Sequence, residues 1–91
     1  MKILKYNLPS ADCNVQISWG ATYMSVLPRD GGFVVYFRGD PESKDNYTET
    51  YRFVFLNTGD TIDDDFQFNY QFIGTFRTDN ITRHLFMHKL G

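Results

Sequence analysis

Between Phe66 and Phe76 the chain reads Phe-Gln-Phe-Asn-Tyr-Gln-Phe-Ile-Gly-Thr-Phe. Rings occupy the even positions Phe66, Phe68, Tyr70, Phe72 and Phe76, and amides the odd positions Gln67, Asn69 and Gln71. A period of two sets ring after ring on one face of a β-strand. We therefore read a strand from Phe66 to Phe76, extending toward Arg77, with its aromatic face turned into a core. A base-stacking platform is the functional use of the same stripe.

Composition supports a β fold. Nine Phe and six Tyr among 91 residues suit pleated surfaces. Only two Ala, the best helix former, are present (Ala11 and Ala21). Ninety-one residues make one domain over 1–91. Strands are expected from Lys2 to Leu8, Asn14 to Ser18, Thr22 to Leu27, Phe33 to Arg38, Thr48 to Leu56 and Ile81 to Leu90. Turn chemistry separates them: Pro28-Arg29-Asp30-Gly31-Gly32, Asn57-Thr58-Gly59-Asp60 and Thr78-Asp79-Asn80. The polar stretch from Gly39 to Tyr47 reads as a mobile surface loop. The expected fold is all-β: a small antiparallel β-sandwich or partly open barrel of about six or seven strands.

The net charge of −2 argues against a surface built to coat nucleic acid, so nucleic acid is not an expected partner. The single cysteine, Cys13, excludes an intramolecular disulfide and points to a reducing compartment. Neither a signal peptide nor a membrane-spanning run is apparent, so no membrane partner is expected. Apolar residues on both faces of several strands favour a homo-oligomer.

Candidate chemistry is sparse. His84 and His88 share a strand face but lie about 13 Å apart along it, too far to chelate one metal as a pair. Asp60, Asp63, Asp64 and Asp65 do not follow the calcium-loop pattern and read as a solvated acidic turn. Cys13 has no base near it in sequence. No cofactor and no metal are expected, and no paired base and nucleophile mark an enzyme. Arg38, Arg52, Arg77 and Arg83 alternate with apolar residues. They either cover strand faces and edges or grip phosphate beside a stacking Tyr36 or Trp19. Trp19 suits either the core or an interface. His84 and His88 complete the candidate ligand-binding set, for an anion or a nucleobase.

Several segments occur in an order that resembles a family of small uncharacterised phage and prophage proteins. They are Lys5-Tyr6, Gly20-Ala21-Thr22-Tyr23-Met24-Ser25-Val26, Glu49-Thr50-Tyr51-Arg52-Phe53, Thr58-Gly59-Asp60-Thr61-Ile62, Phe72-Ile73-Gly74-Thr75-Phe76 and His84-Leu85-Phe86-Met87-His88. Phe72 replaces that family's usual Tyr, and Asp60-Thr61 its usual His-Pro. The resemblance implies a phage accessory protein acting in the cytoplasm of an infected bacterium, and it carries no activity with it. The expectation is a binding protein, such as a counter-defence protein that sequesters a small nucleotide signal. The alternatives are an inhibitor that binds a host bacterial protein through an aromatic or acidic surface, and a small virion or assembly protein.

Overall fold

Strand alternation decides the architecture. The computed structural model describes residues 1–40 and 47–91. Its elements are β1 (Lys2–Pro9), β2 (Cys13–Ser18), β3 (Thr22–Arg29), β4 (Gly32–Gly39), β5 (Thr48–Asn57), α1 (Asp64–Asn69), β6 (Gln71–Thr78) and β7 (Ile81–Lys89). Seven strands form two sheets, ordered β1-β4-β3 and β2-β5-β7-β6, and every hydrogen-bonded pair is antiparallel. The fold is an all-β sandwich, not a closed barrel. No described helix is long and apolar enough to cross a membrane.

The core follows from period two. Phe33, Val35 and Phe37 of β4 face Tyr51 and Phe53 of β5 and Leu85 and Met87 of β7 in one buried cluster. Phe37 is fully buried and makes edge-on contacts with Tyr6, Tyr23 and Tyr51. Phe33 packs tilted against Phe55 and Phe76. Edge-to-face geometry sets the positive ring edge against a neighbour's negative face.

Two tight hairpins hold the register. In the β6–β7 turn, Asp79 and Asn80 have φ of 50° and 64°. Both central residues of a type I′ turn need positive φ, and Asp and Asn tolerate it. In the β3–β4 turn Arg29 pairs with Gly32, and Gly31 takes φ 76°.

The expected strand from Phe66 to Phe76 is corrected by the structure. Residues Asp64–Asn69 form α1, and β6 begins only at Gln71. Asp63 caps the helix, its carboxylate accepting from the Phe66 amide at 2.8 Å, and Asp64 and Asp65 occupy the first turn. Acidic residues there complement the positive helix end. Rings at 66, 68, 70 and 72 satisfy period two, but Phe66 and Tyr70 are also one helical turn apart. They stack at 4.1 Å with planes 6° apart. Nor are these rings core: Phe68 is 87% and Phe72 55% exposed, and of the stripe only Phe76 packs against the main cluster.

This helix solves a topological problem. β5 and β6 both pair antiparallel to β7, so they run parallel to each other with β7 between them. Their connection must cross β7. α1 makes that crossing, placing Phe66 edge-on to Phe86 at 5.1 Å and Tyr70 against His88 at 5.0 Å. Of the expected Gly39–Tyr47 loop, Gly39 ends β4, and residues 41–46 lie outside the described residues.

Candidate functional site

The eight residues singled out from sequence are dispersed. Tyr36 and Arg38 stand on the outer face of β4, where Tyr36 pairs with Lys5 and Arg38 with Ile3. Arg52 lies on the outer face of β5, opposite His88, and donates to Asn14 Oδ1 at 3.3 Å. Arg77 is exposed on β6. Arg83 is engaged structurally: it donates to Ser10 Oγ at 2.6 Å and to the Ser10 carbonyl at 2.9 Å, and its guanidinium lies 4.2 Å from the Phe55 ring centre. That fastens the β1–β2 connection to sheet B (β2-β5-β7-β6) and leaves the guanidinium committed. Trp19 is 61% exposed in the β2–β3 connection, its amide bonded to the Tyr47 carbonyl. The four arginines therefore form no common phosphate grip.

The two histidines do share the outer face of β7. His84 bridges two hydroxyls, with Nε2 2.8 Å from Thr58 Oγ1 and Nδ1 2.9 Å from Thr75 Oγ1. It ties the start of the crossover to β6, beside a cavity of about 290 Å³ that also meets Leu56, Asp60, Ile62 and Phe86. Among the described residues no group of three or more His, Cys, Asp or Glu is arranged to hold a metal ion.

A larger cleft of about 460 Å³ opens where the two sheets part. Tyr23 enters from the start of β3 and Tyr51 from the start of β5. Asn69 comes from the end of α1, Gln71 from the start of β6, and His88 and Lys89 from the end of β7. Strand ends from both sheets thus meet at one end of the sandwich. Both tyrosine rings flank Phe37, so the apolar core continues directly into the cleft wall. Tyr23 Oη lies 3.4 Å from the Ile73 carbonyl, at the irregularity in β6 between Phe72 and Gly74.

The cleft is charged on one side. Lys89 Nζ is 3.4 Å from Glu49 Oε1, the one ion pair among the described residues. The Glu49 side chain is only 12% exposed, and its Oε2 accepts from the Gly20 amide at 3.4 Å. The Lys89 side chain is 53% exposed, so its ammonium can turn to an incoming anion. Burial pushes the Tyr23 phenol above its ordinary range; burial, then the Glu49 charge, does the same to Tyr51. Both hydroxyls stay protonated at neutral pH; Tyr23 Oη donates to the Ile73 carbonyl and can accept, while Tyr51 Oη can donate. Burial, then Asp12, raises the Cys13 thiol against a smaller opposing effect of Arg52, which disfavours a reactive thiolate.

Of the cleft residues, only His88 belongs to the candidate set that the sequence suggests. One signal was available: Tyr rather than Phe at inward positions 23 and 51 marks where a core ring reaches water.

Neither the curated proteins nor the solved structures contain a match to this chain. A family model described as "Domain of unknown function (DUF7352)" matches residues 1–90, nearly the full length of the 91-residue sequence. The chain belongs to that family.

Proposed function

We propose that this protein acts by binding and that the cleft between its sheets captures a small nucleotide. The observation that carries the reading is the polar set, which both donates and accepts: two phenols, two carboxamides and one ammonium around about 460 Å³. Small-molecule sites typically span about 300–1,000 Å³ and combine apolar walls with a few polar groups. Asn69 and Gln71 can each donate and accept, which matches the edge of a nucleobase. Tyr23 and Tyr51 offer hydroxyls and ring edges, and Lys89 supplies the charge for a phosphate. Within the cleft the phosphate falls to Lys89, because none of Arg38, Arg52, Arg77 and Arg83 lines it. In the setting the sequence resemblance implies, such a protein would sequester a nucleotide signal in an infected bacterial cell.

A thermal-shift panel of mononucleotides and cyclic nucleotides tests this. A ligand at 100 times its Kd adds about 2.7 kcal/mol of stability. We expect such a shift for one member of the panel and its loss in Lys89→Met. An unchanged midpoint across the panel would rule the reading out.

A second reading rests on the crossover. Phe68, Phe72 and Ile62 are 87%, 55% and 45% exposed beside Asp63, Asp64 and Asp65. An aromatic patch with an acidic rim suits a basic groove on a host protein. It predicts one co-purified bacterial partner that Phe68→Ser releases.

A further inference from the structure

The acidic residues of the crossover have a counterpart on the opposite sheet. Sheet A (β1-β4-β3) turns most of its outer face to solvent: Val34 at its centre is buried beneath its neighbours, but Ile3 and Leu27 are 66% and 55% exposed, and Lys5, Arg29 and Arg38 are all exposed. Tyr36 stands half-buried at its centre, paired with Lys5 on one side and Ser25 on the other. None of these three cations is hydrogen-bonded or ion-paired to another described residue. The outward strand positions carry no carboxylate; Asp30 lies in the turn at one end and Asp40 beyond the other.

The register gives the cations an order. Arg38 pairs with Ile3, Lys5 with Tyr36, and Arg29 with Gly32. From position 38 to position 32 is six residues, or about 20 Å of strand. Near the far end, a cleft of about 340 Å³ is lined by Lys5, Asn7, Arg29 and the Asp30-Gly31-Gly32 turn. Cations spaced along an open sheet, with an aromatic ring between them, match the charges and bases of a single strand. A flat acidic protein surface would use the cations and leave the ring without a stacking partner.

We propose that the outer face of sheet A binds single-stranded nucleic acid across Lys5, Tyr36, Arg38 and Arg29. The phosphates follow the three cations, and one base lies on Tyr36. This site is separate from the inter-sheet cleft, and either can be lost without the other.

The test is fluorescence anisotropy with a labelled oligothymidylate of about 12 nucleotides at low salt, within the usual range of single-strand site sizes. Three neutralised phosphates predict a log–log salt slope of about −2, because single strands contribute about −0.7 per contact. Lys5→Ala, Arg29→Ala and Arg38→Ala should each weaken binding and reduce the slope by about 0.7. Tyr36→Ala should weaken binding roughly 5- to 160-fold with the slope unchanged, while Tyr36→Phe keeps it. Arg77→Ala, on the other sheet, should leave affinity unaltered, and unchanged thermal midpoints confirm that the variants fold. Absence of binding at low salt would overturn the proposal. So would equal binding of duplex DNA, equal competition by polyglutamate, or an effect of Arg77→Ala as large as that of Arg38→Ala.

Discussion

Gly74 sits where β6 departs from regular pairing, between Phe72 and Gly74, and the Phe76 ring lies over it. A Cβ at position 74 would stand 2.7 Å from Phe76 Cε2 and Cζ and 3.5 Å from Val26 Cγ1. Carbon pairs prefer about 3.5–4.0 Å, so in Gly74→Ala the ring must retreat by roughly 1 Å. The backbone there needs no positive φ, so the cost is steric. Phe76 cannot move freely, because it packs at 5.0 Å against the nearly fully buried Phe33. It can slide outward, being half-buried, which keeps the penalty below that of a backbone collision. Overpacking of this kind costs about 1–3 kcal/mol. For a domain this size each kcal/mol moves the midpoint by about 4–8 °C, so Gly74→Ala should lose roughly 4–24 °C. Urea titration followed by circular dichroism, with unchanged m, gives the free energy directly. Phe76→Leu removes the obstructing ring atoms, so the alanine should cost much less in that background. A loss below about 0.5 kcal/mol, as for an ordinary surface change, would refute the reasoning. An undiminished loss in the Phe76→Leu background would refute it as well.

The other predictions probe the cap, the core and the tyrosines. Asp63→Ala removes the α1 cap and should cost about 1 kcal/mol in urea melts, with Asp63→Asn recovering most of it. Phe37→Ala empties the centre of the ring cluster and should cost about 3–5 kcal/mol, a large part of a marginal domain's stability. That variant should lose its cooperative melt or melt far earlier by calorimetry. Tyr23 and Tyr51 are harder to ionise in the fold than in the unfolded chain. Above the ordinary tyrosine pKa of about 10 the unfolded state therefore loses protons first. Their contribution is fully present below that pH and is lost as pH rises through the folded-state values. Urea melts between about pH 8 and 11 should show that decline, and the Tyr23→Phe, Tyr51→Phe double variant should flatten it.

Much of the fold was legible because burial on one side writes period two into a strand. Phe33, Val35 and Phe37, and likewise Tyr51, Phe53 and Phe55, announced β4 and β5 to within a residue or two of their ends. Turn residues did as well, since Asp79 and Asn80 adopt the positive φ that their side chains permit. The segment from Phe66 misled because two periods fit the same rings. Local capping by Asp63 and the need to cross β7 selected the helix, and only the second of these depends on sheet order. The cleft was not legible. Tyr23, Tyr51, Gln71 and Lys89 come from four strands whose ends meet only once the sheets are stacked. Likewise Arg83 read as a candidate phosphate ligand until its partners at Ser10, 73 residues away, were in view.

The inter-sheet cleft is the ligand site we propose. An amide-resonance NMR titration with the nucleotide giving the largest thermal shift tests it most directly. We predict saturable shifts at Tyr23, Tyr51, Asn69, Gln71 and Lys89, absent in Lys89→Met. Saturable shifts confined to other parts of the sandwich, or none at all, would contradict it.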